Sequence, residues 1–293
     1  MLTAEKEGAQ VKAHNYWDQK QYGALKLDFL SEKRASLEMA RIYNHQQHKR
    51  PAPAKRLSSR FNQPQAPLAP IDSKETSDQP YVIVRKFTLS HAAHPFEPMR
   101  EVTQLQYSSW PDFGAPAHPA HLLALVEQTD AVVRSTNKTH GSQDPEPKGE
   151  RPVMVHCSAG CGRTGTFCTV DSVIDMLKRQ RISKRKRQGT PMDIDKETPA
   201  RELNRRQSAS KPRPSSGGGD FFGSQYQPDA HEGEPIDGAW VDADDVDLVE
   251  KTVEDFRHQR LSMVQSLRQF VLCYESIMEW LVDQSPPDES SRS

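Results

Sequence analysis

The stretch that decides the fold is Val153-Met154-Val155-His156-Cys157-Ser158-Ala159-Gly160-Cys161-Gly162-Arg163-Thr164-Gly165-Thr166-Phe167. It predicts an apolar strand that ends at Cys157, a tight glycine-rich loop, and then the start of a helix. Glycine adopts backbone angles that let successive N–H groups line one concave surface, and the N-terminus of the next helix adds positive charge. This order of elements therefore predicts an anion site at the loop.

Two side chains indicate which reaction the predicted anion site can support. Cys157 enters the loop, so its thiolate should be stabilised and its pKa should lie well below the free value of about 8.5. Arg163 closes the loop, and its planar guanidinium can donate to two phosphoryl oxygens at once. The alternative is a buried strand cysteine before an accidental glycine-rich turn. A zinc site is disfavoured, because the sequence has no CxxC pair and no partner pair at ligand spacing.

Residues 156–165 resemble the signature loop of the cysteine-dependent protein tyrosine phosphatases. The resemblance implies hydrolysis of phosphotyrosine in proteins through a cysteinyl-phosphate intermediate, with no metal or other cofactor. It makes Cys157 the nucleophile, Arg163 the phosphate-binding arginine, and Thr164 the hydroxyl that stabilises the departing thiolate. His156 would orient the loop by hydrogen bonding, or would be a plain core histidine. The other loop residues implied to bind the substrate phosphate are Ser158, Ala159, Gly160, Cys161 and Gly162.

A second group with chemical meaning is Trp110-Pro111-Asp112-Phe113-Gly114. A departing tyrosine oxygen needs a proton, and a carboxylic acid on a closing loop can deliver it. Pro111 restricts the shape of such a loop, and Gly114 can act as its hinge. The group resembles the Trp-Pro-Asp loop of the family, which makes Asp112 the general acid and places Trp110 in the substrate site. An aspartate in a Pro-Asp turn is otherwise an ordinary turn former.

Two stretches far from the loop also resemble family motifs. Residues 7–12, ahead of Asn15-Tyr16-Trp17, resemble a loop whose glutamate steadies the phosphate-binding arginine and whose lysine reaches toward the acid loop. The resemblance gives these roles to Glu7 and Lys12, and ordinary surface charges beside a hairpin are the alternative. Residues 263–269 resemble the glutamine motif of the family. Gln265 would position the hydrolytic water there, and Gln269 would be the second glutamine of the site.

The resemblance implies one α/β domain over residues 1–283, with a phosphatase-type, highly twisted mixed sheet flanked by helices. With 34% hydrophobic residues and 22 prolines, a sizeable part of the chain is not expected to form a core. We expect disordered inserts at residues 46–80, 137–150 and 182–240, and a disordered tail at 284–293. Periodicity predicts strands within residues 34–43, 81–87 and 100–107, and helices at 121–135, 164–181, 241–260 and 261–283.

The start of the chain departs from the family. Members normally carry a long section before this point, including a Lys-Asn-Arg-Tyr loop that walls the phosphotyrosine pocket, and nothing in this sequence supplies that loop. We therefore expect an N-terminally truncated, tyrosine-specific, non-receptor phosphatase whose long inserts are fungal-like. The alternative function is that of a catalytically impaired phosphotyrosine-binding or scaffold protein. The presence of Cys157, Asp112 and Gln265 together favours the enzyme, because binding alone needs no such set.

Charge and cysteine content set the expected surroundings of the protein. A net charge of −1 gives no global attraction to nucleic acid or membranes. Four scattered cysteines, one of them a predicted thiolate, fit a reducing compartment, so we expect a cytoplasmic signalling enzyme. The basic run at residues 178–187 predicts a solvated helix end, a nuclear-import or docking sequence, or a nucleic-acid contact. Analogy with fungal members suggests a MAP kinase as the phosphotyrosine protein substrate, and we expect a monomer.

Overall fold

A computed structural model describes residues 1–18, 20–47, 68–71, 79–137, 141–146, 152–188, 239–242 and 245–284. The predicted inserts and tail lie largely outside these ranges, since residues 48–67, 72–78, 138–140, 147–150, 189–238 and 285–293 are not described. Within the described ranges, no helix is both long and apolar enough to cross a lipid bilayer.

The elements follow the chain as a sheet-rich first part and a helical second part. The strands are β1 Lys6–Glu7, β2 Gln10–Val11, β3 Gln21–Tyr22, β4 Leu25–Ser36, β5 Tyr81–His91 and β6 Arg100–Gln106. The helices are α1 Met39–Gln47, α2 Pro119–Asn137, α3 Gly162–Gln188, a short 3₁₀ helix Ala239–Asp242, α4 Leu248–Gln259 and α5 Leu267–Gln284. The helix α3 packs against both α4 and α5, and α2 packs against α1, α3 and α5.

A four-stranded sheet in the order β3-β4-β5-β6 forms the base of the fold. The long strands β4 and β5 pair antiparallel along their whole length, with an irregularity in register between Phe29 and Ser31. The strands β1 and β2 form a separate small hairpin. The sheet flanked by helices confirms the predicted α/β class. Every strand pair among the described residues is antiparallel, so the predicted mixed sheet differs in that respect.

The segment that should have supplied a parallel strand is residues 153–156, before Cys157. It lies outside any helix or strand assigned in the described ranges. The backbone N–H of Leu2 donates to the carbonyl of His156 at 2.8 Å, but Val153 is 44% and Met154 is 88% exposed. The predicted apolar strand is therefore an extended segment, because a strand needs a ladder of neighbours and not a single hydrogen bond.

Three further element boundaries differ from the sequence prediction. The helix predicted at 241–260 begins only at Leu248. The strand predicted within residues 34–43 ends at Ser36, and α1 begins at Met39, where Met39 and Ile42 share one helical face three residues apart. The final helix begins at Leu267 rather than residue 261, since Ser262 and Val264 have positive φ angles of 66° and 58° that no α-helix contains. The predicted strands at 81–87 and 100–107 and the helices at 121–135 and 164–181 are confirmed.

The core lies between the helices and the sheet, and α3 crosses its centre. The buried residues of α3 include Phe167, Val170, Val173 and Ile174. They pack in one cluster with Trp110 of the predicted acid loop and with Cys157. The helix that carries the signature loop at its N-terminus is thus anchored in the core, which fixes the position of that loop.

Candidate active site

Cys157 lies at the centre of the loop that precedes α3. The backbone N–H of Gly160 points at its Sγ at 3.2 Å. Burial alone would raise the pKa of the Cys157 thiol, but the Thr164 hydroxyl and the N–H groups of Thr164, Gly160 and Cys161 together lower it. By contrast, burial raises the pKa of Cys168 and of Cys273 to about 12. Of these three cysteines, Cys157 alone has a lowered thiol pKa, as predicted.

Arg163 extends from the first turn of α3 into the protein and is 1% exposed. Its Nη1 donates to Glu7 Oε1 at 2.7 Å and to the Trp110 carbonyl at 2.8 Å. Its Nη2 lies 3.2 Å from Asp112 Oδ1, an ion-pair distance. Neither Nε nor Nη2 has a hydrogen-bond partner among the described residues. Two buried, positively charged donors of this kind fit a phosphoryl group, which accepts hydrogen bonds from both.

The acid loop lies over the same arginine. Trp110 is fully buried and its indole Nε1 donates to the Gly114 carbonyl at 2.9 Å, so it anchors the loop. Phe113 has a φ of 56°, an uncommon conformation for a residue with a side chain, and it sets the turn after Asp112. The Ser266 hydroxyl donates to the Phe113 carbonyl at 3.0 Å. These contacts hold Asp112 next to Arg163.

Glu7 and Lys12 both lie in the site rather than on an unrelated surface. The β1–β2 hairpin carries Glu7 to Arg163 Nη1, and Lys12 Nζ lies 2.8 Å from Asp112 Oδ2. Lys12 Nζ is also 4.0 Å from Glu7 Oε2, which completes an ionic cluster of four side chains. Burial would raise the pKa of Asp112, but the hydrogen bond from Lys12 and the charges of Arg163 and Lys12 lower it below the usual value.

Both predicted glutamines reach the start of α3. A Cβ at Gly162 would lie 2.8 Å from Gln265 Oε1 and 2.9 Å from Gln269 Oε1, so a side chain there would displace both carboxamides. Gln269 is fully buried, and its Oε1 accepts the backbone N–H of Gln265 at 3.0 Å. Its Nε2 lies 3.4 Å from the Gly114 carbonyl. Gln269 thus connects the acid loop to the turn that carries Gln265.

A hydrogen-bonded chain behind the loop involves residues that the motifs do not name. Gln104 Nε2 donates to the Tyr16 hydroxyl at 2.7 Å, and that hydroxyl lies 2.9 Å from His156 Nε2. His156 Nδ1 lies 3.4 Å from the Cys157 carbonyl. The Tyr16 hydroxyl accepts from Gln104 and can donate its own O–H to His156 Nε2 in the tautomer that carries the proton on Nδ1. Burial lowers the pKa of His156, which favours this neutral form.

Two arginines at the end of α4, to which the sequence analysis assigned no role, also contact the site. Arg260 Nη2 donates to the Ala159 carbonyl at 2.8 Å, and its Nε lies 3.3 Å from Cys161 Sγ. Arg257 donates to the carbonyls of Met263 and Val264, each at 2.9 Å. The three-residue spacing of these arginines predicts that they lie near each other at the end of a helix. It does not predict which carbonyl groups they contact.

A separate cavity of about 340 Å³ lies among the helices α2 to α5. None of the signature-loop, acid-loop or glutamine residues lines it. Asp171 of α3 faces this cavity, and burial among other carboxylates raises its pKa to about 7. Among the described residues no group of acidic, histidine or cysteine side chains is arranged to hold a metal ion.

The geometry at Cys157 can therefore support phosphate chemistry with protein groups alone. Cys157 supplies a thiolate within the loop. Arg163, which closes that loop, has Nη2 at 3.2 Å from the Asp112 carboxylate. A phosphoryl group held by the loop N–H groups and Arg163 would be neutralised at its equatorial oxygens. The carboxyl of Asp112 would then be close to the leaving oxygen.

Comparison with known proteins shows what this part of the chain is similar to. Residues 53–196 match the family model described as "Protein-tyrosine phosphatase". That match contains Asp112, Cys157 and Arg163 and ends before Gln265. The human protein "Tyrosine-protein phosphatase non-receptor type 18" is 49% identical over 83 residues, 28% of this chain and 15% of that relative.

More distant relatives extend the similarity along the chain. "Tyrosine-protein phosphatase 3" of Saccharomyces cerevisiae is 26% identical over 198 residues, 67% of this chain and 15% of that relative. A solved structure of PTPN18 in complex with HER2 phosphopeptides has 20% sequence identity and a TM-score of 0.47, covering 96% of this chain and 61% of that one. The chain spans less than two thirds of each of these relatives. Residues 53–196, which contain Asp112, Cys157 and Arg163, are thus similar to protein-tyrosine phosphatases.

Proposed function

We propose that this chain hydrolyses phosphotyrosine in proteins through a cysteinyl-phosphate intermediate. The observation that carries the proposal is the position of Arg163, which is fully enclosed between Asp112 and Glu7 at the end of the Cys157 loop. Its Nε and Nη2 have no hydrogen-bond partner among the described residues, and Nη2 lies 3.2 Å from Asp112 Oδ1 of the acid loop. A purely structural arginine would have these donors paired.

In the first step the Cys157 thiolate attacks phosphorus, an S–P bond forms, and the P–O bond to tyrosine breaks. Arg163 and the loop N–H groups bind the equatorial oxygens, whose charge is dispersed in the transition state. Asp112 donates its proton to the leaving tyrosine oxygen. The lowered pKa of Cys157 keeps the nucleophile as a thiolate at neutral pH.

In the second step a water molecule attacks the same phosphorus and the S–P bond breaks. Asp112, now a carboxylate, accepts a proton from that water. The Gln265 carboxamide, beside Gly162, orients the water. The Thr164 hydroxyl and the loop N–H groups stabilise the thiolate that departs, which returns Cys157 to its starting state.

The finer assignment rests on resemblance and composition. The substrate class is a protein phosphotyrosine because the curated relatives are named tyrosine phosphatases. A MAP kinase substrate, a fungal-like lineage, a monomeric state and a cytoplasmic location, with the nucleus as alternative, are parts of the same proposal. They follow from the long inserts, the near-neutral net charge and the basic run at the end of α3.

The test compares the purified chain with its Cys157→Ser variant on a phosphotyrosine peptide. We expect release of phosphate by the wild type, none by the variant, and retained peptide binding by the variant, because Arg163 and the loop remain. A cysteinyl-phosphate trapped by acid quench and located on Cys157 by mass spectrometry supports the two-step reaction. Peptide binding without phosphate release by the wild type would favour the scaffold alternative and overturn the enzyme proposal.

A further inference from the structure

The turn that joins α4 to α5 has an unfavourable backbone conformation. Val264 has a φ of 58° and is 1% exposed, and Ser262 has a φ of 66°. A β-branched residue with positive φ is a true outlier, since its side chain crowds its own carbonyl. Such a conformation persists only where the surroundings hold it, and it is often found at functional sites.

Arg257 is the side chain that holds this turn. It lies in the last turn of α4, and its Nε donates to the Met263 carbonyl at 2.9 Å while its Nη2 donates to the Val264 carbonyl at 2.9 Å. One rigid guanidinium therefore fixes two successive peptide groups. Because these groups flank the φ of Val264, the contact sets the direction in which the chain leaves the turn.

The chain leaves the turn at Gln265. The N–H of Val264 lies 3.3 Å from the Cys161 carbonyl, so the turn rests directly on the phosphate loop. A Cβ at Gly165 would lie 2.5 Å from the Val264 nitrogen, which shows how closely α3 and the turn approach. With the turn in this place, the Gln265 carboxamide reaches the position beside Gly162.

We propose that Arg257 is a positioning residue for the hydrolysis of the cysteinyl-phosphate. It holds the strained Met263–Val264 turn and thereby places Gln265 over the phosphate loop. This inference rests on the proposed function. Arg257 has no contact with Cys157, Asp112 or Arg163 among its hydrogen bonds to described residues, so the first step does not depend on it. Arg260, one helix turn further, contacts the loop at Ala159 and should act on phosphate binding instead.

The test separates the two chemical steps by rapid mixing with p-nitrophenyl phosphate. In Arg257→Ala we expect the rate of cysteinyl-phosphate hydrolysis to fall about tenfold to a hundredfold, as a misplacement of about 1 Å can cause. The burst of p-nitrophenol that measures the first step should stay within about twofold of the wild type. Gln265→Ala should give the same burst, and the double variant should lose no more than the larger single loss.

The conservative variant and the control make the result specific. Arg257→Lys keeps the charge but cannot donate to both carbonyls with one planar group. We therefore expect a burst like that of the wild type and a hydrolysis rate between those of the wild type and Arg257→Ala. Arg268→Ala removes an exposed arginine of α5 and should behave as wild type. Equal loss in both steps, or no loss in either, in the folded Arg257→Lys variant overturns the inference. A wild type without any turnover would overturn the proposed function itself, and this inference with it.

Discussion

Lys12 Nζ lies 2.8 Å from Asp112 Oδ2, between residues that are a hundred positions apart in the sequence. The contact joins the loop after β2 to the acid loop, and it lowers the pKa of the carboxyl that has to deliver a proton. A general acid works only in its protonated form, so this contact sets the upper pH limit of the first step.

The first prediction concerns that limit. Activity through Asp112 as acid is present below the pKa of Asp112 and is lost as pH rises through it. Lys12→Met removes a hydrogen bond and a positive charge, so the pKa of Asp112 should rise and the alkaline limb of kcat/KM should move to higher pH. Lys33→Met, on an exposed face of β4, is the control. An alkaline limb that stays in place would mean that Lys12 does not act on Asp112.

The second prediction tests Asp112 as the acid. Asp112→Asn should lower kcat/KM by about 10² to 10⁴ for alkyl-substituted phenyl phosphates, whose leaving groups need the proton. The loss should shrink for activated nitrophenyl esters, because their leaving oxygens are stable without it. Asp245→Asn is the matched exposed carboxylate. A loss of the same size for every leaving group would point to a binding role for Asp112.

The third prediction concerns oxidation of the nucleophile. Cys161 Sγ is turned toward Arg260 Nε and the Ala159 carbonyl, whereas Cys157 Sγ lies under the Gly160 N–H. We expect peroxide to inactivate the enzyme at Cys157, reversibly with thiol, without a link to Cys161. Mass spectrometry of the treated wild type and of Cys161→Val measures this. A Cys157–Cys161 disulfide, with slower recovery in Cys161→Val, would contradict it.

The fourth prediction uses the close approach of α3 to the α4–α5 turn. Gly165→Ala forces a Cβ to within 2.5 Å of the Val264 nitrogen, which is backbone and cannot rotate away. We expect a loss of about 1–3 kcal/mol in the free energy of unfolding, measured with urea. Gly141→Ala is the control, because its Cβ would meet the flexible Asp144 carboxylate at 2.9 Å. Equal stability of the two variants would show that the turn can move.

The fifth prediction concerns the basic run that continues α3 past residue 181. Lys184 and Arg185 are exposed on the helix, so neutralising residues 184–187 should leave aryl-phosphate kinetics unchanged. We expect the neutralised protein to leave the nucleus of transfected cells, as seen by fluorescence of a tagged chain. An unchanged distribution would leave the run as a solvated helix end.

The residues of the signature and acid loops could be predicted because their chemistry is local. Cys157, Arg163 and Asp112 each lie in a short stretch whose residues already suit phosphate chemistry. The structure places the stretches that carry them against one another. Glu7 and Lys12 could be named only by resemblance, since two surface charges near a hairpin look the same in a sequence. The contacts of Glu7 with Arg163 and of Lys12 with Asp112 place both residues in the site.

The supporting residues could not be predicted, because their roles come from tertiary contact. Tyr16 and Gln104 meet His156 only in the folded chain, where residues 1–2 hydrogen-bond both to the end of β6 and to His156. The start of α5 was placed too early because Ser262 and Val264 have positive φ without the glycine or asparagine that usually signals it. Apolar residues 153–155 fit a strand pattern, yet the described residues provide it with no ladder.

The ionic cluster of Arg163, Lys12, Glu7 and Asp112 has a further consequence for the net charge of the site. Arg163 and Lys12 balance Glu7 and Asp112, so the cluster is neutral before the thiolate of Cys157 is counted. An arriving phosphate ester adds negative charge in a confined place, and that charge favours proton uptake by the nearest carboxyl. The substrate would thus recruit the proton that later leaves with its own tyrosine, and Asp112 would become an acid only when there is something to protonate.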